Sequence, residues 1–298
     1  MIDFSTPDTF RPGVIDRDVT YGDGEFARAM PYGTIPESPR FRDVFSTIPE
    51  NEWLDIIRSQ HAPNSDELIW NVYDQGPVGS CAPEALNKGA ETKNEGAGRK
   101  RTKLNPYGMY YTTSGGRDQG SSLASNVAFA KRYGCFPEEV WPRSKGWRTK
   151  PSEAAYEAAS HHKLDETLDI NNTSASAFYA ELISGMLMDD APFGYVGYPG
   201  HAIGLVAIVE ATRTSAPHIV AAADAVDSQI VRRIGVRAFR ALTGDTGLPR
   251  GLADTLYARY INSWHESWGD RGRGYIRLTS LQRGYGAWVF RTNKESTR

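Results

Sequence analysis

Gln75-Gly76-Pro77-Val78-Gly79-Ser80-Cys81-Ala82-Pro83-Glu84 is the stretch on which the reading of this chain turns. Gly76, Gly79 and Ser80 make a tight loop, and the pattern over Ala82–Glu95 predicts a helix directly after it. A thiol where a helix begins lies at the positive end of the helix dipole, which favours the thiolate. Thiolate is the nucleophilic form, so Cys81 is a candidate nucleophile, although a lone cysteine is more often a small buried hydrophobe. Gln75 lies six residues earlier. Its side-chain amide, with the backbone N–H of Cys81, can hold the oxyanion of a tetrahedral intermediate.

A nucleophilic cysteine needs a base, and the chain holds six histidines. His201 stands out because it opens the apolar stretch Gly200-His-Ala-Ile-Gly-Leu-Val-Ala-Ile-Val209, which reads as a buried strand. Taken alone, a histidine there could simply cap the strand. Asn262 is the third element. It sits in an aromatic, strand-like segment, RYINSWHESWGDRGRGYIRL, where asparagine is poorly suited to a sheet and implies a specific partner such as an imidazole. Trp264 and Trp268 lie close enough in sequence to shield that bond from water. For Trp268 plain core packing is the better reading.

Three motifs now stand in one order: Gln75-Gly-x-x-Gly-Ser-Cys81, Gly200-His201-Ala202, and Asn262-Ser-Trp264-x-x-x-Trp268-Gly-x-x-Gly272. Together they resemble the papain family of cysteine peptidases, whose Cys–His–Asn arrangement is a standard example of this chemistry. A fourth stretch, Leu104–Pro142, is similar to the family's segment from its second helix through its substrate-binding strand. The resemblance covers about Ile69–Phe290. It implies Cys81 as nucleophile, His201 as base, Asn262 as the group orienting His201, and Gln75 as oxyanion donor. It further implies Gly79, Gly120, Ser121 and Trp264 as substrate-binding, with Gly120 and Ser121 presenting backbone to an extended peptide. Trp264 would cover the Asn–His bond and line the leaving-group side.

Working outward, helices are expected at Thr47–Gln60 (Thr47 and Glu50 spaced as a capping box), from Ser121 or Ser122 to Gly134, at Pro151–His162 and at Ser174–Met188. Beyond Pro192 the texture turns to strands: Phe193–Tyr198, His201–Val209, Leu256–Trp264, Tyr275–Thr279 and Ala287–Arg291. Helices first and antiparallel strands later is the α+β pattern. The resemblance implies a papain-like two-lobed fold, a helical lobe carrying the cysteine and an antiparallel β lobe carrying His201 and Asn262. Residues 1–50 hold six of the 17 prolines and little apolar periodicity, so they read as an extended N-terminal arm before a domain at 51–298. Between two strands, Glu210–Thr255 reads as an insertion carrying one helix, Asp227–Leu242.

Composition excludes several classes. Lys plus Arg is 34 against 36 for Asp plus Glu, a net charge of -2, which gives no bulk attraction to nucleic acid or anionic membrane. No apolar run approaches the roughly 20 residues that span a bilayer. Two cysteines, Cys81 and Cys135, cannot make a disulfide scaffold or a four-cysteine zinc site. His161-His162 has no acidic or cysteine partners at ligand spacing, so neither a metal nor a cofactor is expected. The N-terminus has no signal-peptide pattern, and the expectation is an intracellular protein.

Departures from the family pattern also count. Ala82 replaces the usual aromatic after the cysteine, and Glu84 in that first turn would raise the thiol pKa if it faced Cys81. No helical inhibitory propeptide is recognisable upstream. Two readings follow. One is a papain-like endopeptidase acting on a peptide or protein. The other is an assembly component, of a viral particle for instance, built on the same scaffold with an idle or restricted site and using the arm to bind a partner protein.

Overall fold

In the computed structural model the helix begins at the candidate nucleophile itself: α3 spans Cys81–Gly96. The structure describes residues 14–15, 38–164, 166–170, 173–244, 247–249, 251–281 and 285–291. Most of the arm therefore lies outside the described residues.

Every residue of α3 from Cys81 to Lys93 is buried, including four that carry charge. Buried charge is tolerated only when it is paired and hydrogen-bonded, and each one here has partners. Glu84 takes both arms of the Arg143 guanidinium (2.5 and 3.0 Å) and the Ser80 hydroxyl (3.0 Å). Lys88 and Glu91 pair at 2.5 Å, and Glu91 also accepts from the Tyr73 hydroxyl and the Leu104 backbone N–H. Lys93 donates to the Ala191 carbonyl beside Asp189; burial pulls its pKa down to about 8.

A β-sheet lies against this helix. Its strands are β5 (Thr167–Asp169), β6 (Phe193–Tyr198), β7 (His201–Glu210), β8 (Leu256–Ile261), β9 (Arg273–Arg277) and β10 (Ala287–Phe290), in the order β5-β10-β6-β7-β8-β9, every pair antiparallel. The period of two along a strand sorts side chains between two cores. Phe193, Tyr195, Ala202, Val206, Trp288 and Phe290 join Cys81, Leu86, α5 (Leu123–Arg132) and the rest of the helical side. Val196, Tyr198, Ile203, Leu205 and Val289 face the other way, onto α7 (Ala175–Leu187) and Trp53. Gly89 permits the close approach of helix to sheet: a Cβ there would lie 2.4 Å from the Phe290 ring and 2.7 Å from that of Phe193. The architecture is α+β.

Three of the expected helices start on serine caps. Ser122, Ser152 and Ser174 each accept from a backbone N–H at the start of α5, α6 (Glu153–Ser160) and α7. Two expectations are corrected. Thr47–Gln60 is no single helix: a 3-10 turn at Glu50–Glu52 leads into α2 (Trp53–Arg58), and neither start has a side-chain cap. The insertion holds two helices, α8 (Pro217–Ile234) and α9 (Val236–Gly244). They are broken at Gly235, whose φ of 82° is the left-handed region that favours glycine. Pro217 at the first helical position starts α8 ten residues before the expected Asp227.

Residues 38–50 are built into the β side. α1 (Phe41–Val44) buries Phe41, Ser38 meets Thr167 at 2.6 Å, and the Ile48 N–H donates to the Ser184 hydroxyl. Farther upstream, β1 (Val14–Ile15) pairs in parallel with β3 (Ser121–Ser122), Val14 opposite Ser121 and Ile15 opposite Ser122.

Candidate active site

Cys81 enters the site from the first residue of α3, and His201 from the first residue of β7. The Pro199-Gly200 turn joins β6 to β7 and sets Tyr198 opposite His201. Gly200 adopts φ 79° and its N–H donates to the Tyr285 hydroxyl at 3.2 Å. Asn262 follows the last residue of β8, with its N–H on the Gly272 carbonyl at 2.9 Å.

His201 Nε2 lies 2.6 Å from Asn262 Oδ1. The same oxygen accepts from the backbone N–H of Ser263 at 2.8 Å, which fixes the amide orientation. An amide oxygen only accepts, so Nε2 carries the proton and Nδ1 is the basic nitrogen. Trp264 stacks on the imidazole with ring centroids 4.6 Å apart and planes 24° apart, and Trp268 packs edge-on against Trp264 at 5.2 Å within the core. His201 is fully buried, and that burial pulls its pKa down to about 3. The hydrogen bond to Asn262 opposes the fall, and the positive charge of Arg233 adds to it.

Tyr198 packs against the imidazole. Its ring contacts His201 edge-on at 5.3 Å, and burial pushes the pKa values of the Tyr198, Tyr195 and Tyr110 hydroxyls up. Tyr195 donates to the Ala82 carbonyl at 3.0 Å, pinning the first turn of α3 to β6. Glu84 points to Arg143 and Ser80, so its charge is paired there.

Gln75 is clamped onto the Asn262 segment. Its backbone N–H donates to the Ser263 carbonyl (2.9 Å), its Oε1 accepts from the Ser263 hydroxyl (2.7 Å), and its Nε2 donates to the Val78 carbonyl (2.8 Å). Gly79 and Gly120 are joined through Asp118 and Tyr110. The Gly79 N–H and the Tyr110 hydroxyl both donate to Asp118 Oδ1 at 2.8 Å, and the Gly120 N–H donates to the Tyr110 oxygen at 3.1 Å. A Cβ on Gly79 would sit 3.0 Å from that hydroxyl. Gly120 leads straight into β3, so Ser121 pairs with Val14. Cys135, by contrast, is buried in the helical core, and burial pushes its thiol pKa well up.

No family model and no curated protein matches the sequence. Solved structures do. Xylellain, a cysteine protease from Xylella fastidiosa, is similar with a TM-score of 0.52 at 18% identity, over 88% of this chain and 96% of its own. The Amb a 11 cysteine protease, a major ragweed pollen allergen, in its proform, is similar with a TM-score of 0.50 at 14% identity, over 91% of this chain and 74% of its own.

The chain adopts the papain-like fold. At these identities the likeness speaks for the fold alone. Within that fold, sequence reasoning missed Tyr110, Asp118, Arg143, Tyr195 and Tyr198, which hold the loop, the helix start and the imidazole in place. Only Tyr198 had a local signal, as the aromatic residue immediately before Pro199-Gly200-His201.

Proposed function

We propose that this chain is a cysteine peptidase that hydrolyses peptide bonds through an acyl-enzyme on Cys81. The observation that carries the reading is the buried His201–Asn262 bond of 2.6 Å under Trp264, in a fold where a cysteine opens a helix. Nδ1 of His201 takes the thiol proton. The desolvation that keeps the imidazole neutral is offset once a thiolate forms beside it, because an opposite charge at close range favours the imidazolium. The thiolate attacks the peptide carbonyl carbon, and the carbonyl oxygen becomes an oxyanion. The backbone N–H of Cys81 and the second Nε2 hydrogen of Gln75, the first being bonded to Val78, stabilise it. Collapse of the intermediate expels the amine, which takes the proton from His201. Water, deprotonated by the same imidazole, then hydrolyses the thioester and frees Cys81. Gly79, Gly120 and Ser121 supply backbone for an extended substrate, and Trp264 keeps water from the Asn–His bond.

A restricted site is the second reading, and one observation favours it. Val14–Ile15 already pairs with Ser121, the strand that this reading gives to substrate, while Cys81 and His201 are both fully buried. Replacement of Cys81 by Ser or Ala tests the main reading: peptide hydrolysis should vanish with the fold intact, and hydrolysis that survived the change would refute it.

A further inference from the structure

Cys81 opens α3, and a second feature lies toward the other end of that helix, roughly 18 Å away at the helical rise per residue. There a cavity of about 70 Å³ opens between α3, residues 162–166 and the end of β10. At about 10–15 Å³ per water, it has room for a few waters or one phosphate group. Its lining is rich in cations. Lys93 comes from α3, Arg99 from the turn after it, Lys163 from the segment before β5, and Arg291 from just past β10. Against them stand Glu166, an exposed carboxylate in the lining, and Asp189, 3.4 Å from the Lys93 ammonium. Among the described residues neither Lys163 nor Arg291 has a carboxylate within ion-pair distance, and the Arg291 guanidinium lies over the Phe45 ring at 4.3 Å.

A helix end attracts cations to its free carbonyls, but that does not account for this cluster. The carbonyls of Lys93, Asn94 and Glu95 are already taken by the backbone N–H groups of Ala97, Arg99 and Gly98. The walls are also fixed. The Cys135 N–H donates to the His162 carbonyl (3.0 Å), the Leu164 N–H to the Ala130 carbonyl (3.3 Å), and the Arg291 N–H to the Glu166 carbonyl (2.8 Å). The backbone thus holds like charges together. Burial lowers the pKa of Lys93 and of His162, and a neighbouring cation, Arg291 for the first and Arg99 for the second, lowers each further.

We propose that this cavity binds a phosphate group, either free inorganic phosphate or the phosphomonoester of a small molecule. The Arg291 guanidinium supplies a planar fork of donors that matches two phosphate oxygens, and Lys163 supplies a point charge. Lys93 is already bonded to the Ala191 carbonyl and Arg99 to Asn94 Oδ1, so these two contribute their field. A tetrahedral dianion suits cations arriving from separate segments better than a planar carboxylate does, because its acceptors point to several sides. The proposal stands apart from the peptidase reading, and the two can fail separately.

The test titrates the full-length protein by calorimetry near neutral pH with inorganic phosphate and with glycerol 3-phosphate, each against chloride at matched ionic strength. Binding should appear with a Kd of about 1 mM or tighter at low salt and should weaken as salt rises. Binding of both ligands, or of either one, supports the proposal and tells free phosphate from an ester. Arg291→Gln and Lys163→Gln should each weaken binding about fivefold or more, the loss of one charge-assisted hydrogen bond. Glu166→Gln removes a negative charge from the lining and should tighten binding. Thermal midpoints with and without phosphate give a second readout, since a ligand of the folded state alone raises the midpoint. If Arg291→Gln does not fold, Lys163→Gln, at an exposed position, decides alone. No binding of either ligand beyond that of chloride would overturn the proposal. So would binding that is unchanged in Lys163→Gln and in a folded Arg291→Gln, because the phosphate would then sit elsewhere.

Discussion

His201 Nε2 stands 2.6 Å from Asn262 Oδ1, and that oxygen is also held by the Ser263 N–H. The imidazole is thus locked as the tautomer whose lone pair is on Nδ1. Asn262→Ala removes the lock without touching Cys81. Peptide hydrolysis should fall by about a hundredfold, the lower end of what a positioned general base contributes. Steady-state kinetics check this, and a kcat/KM within twofold (about 0.4 kcal/mol) of the unmodified protein would contradict it.

Burial of neutral His201 makes stability depend on pH in a defined direction. Its folded pKa is near 3 and its unfolded value about 6.5. Between these values the unfolded state binds more protons, so stability is full above about pH 6.5 and is lost as pH falls toward 3. Urea titrations at stepped pH should show His201→Gln with a shallower acid loss than the parent over that window. Parallel curves would mean that His201 is not held neutral by burial.

The Glu84–Arg143 pair predicts a stability effect that chemistry at Cys81 would not. Glu84 is fully buried, and Arg143 holds both its oxygens at 2.5 and 3.0 Å. Arg143→Met leaves an uncompensated buried carboxyl and should cost about 3 kcal/mol. The double change Glu84→Gln with Arg143→Met should recover part of that loss. Urea unfolding midpoints measure both.

Gly89→Ala forces a methyl group to within 2.4 Å of the Phe290 ring. The helix or the sheet must shift, and overpacking of this kind costs about 1–3 kcal/mol. A thermal midpoint equal to that of the parent would contradict the close packing of α3 on β6 and β10.

Proline at both Val14 and Ile15 removes the backbone donor that β1 can offer β3, whichever of the two residues supplies it. If β3 is where substrate binds, this release should raise kcat/KM on short peptides by about tenfold or more, mainly through KM. Unchanged kinetics would separate the arm from the substrate strand.

The candidate residues were legible because they sit at element starts, where local sequence is most informative. Cys81 after Gly79-Ser80, His201 after Gly200, and the helix start at Ser122 are all short-range signals. The insertion was misread because the periodicity of Ile230, Ile234 and Phe239 runs across Gly235, whose positive φ breaks the helix. Arg143, Asp118 and Arg233 were not legible as site neighbours. Each is brought in by tertiary packing from 30 or more residues away, and nothing local marks an arginine that will meet Glu84 or the Pro199 carbonyl.

The most direct test of the central claim is the rate of iodoacetamide modification of Cys81 at neutral pH, mapped by peptide and compared with Cys135 in the same molecule. The account predicts fast labelling of Cys81, slowed strongly by His201→Ala, and little labelling of Cys135, whose burial holds it as the thiol. Labelling of Cys81 no faster than a free thiol, in the parent and after release of Val14–Ile15 alike, would contradict it.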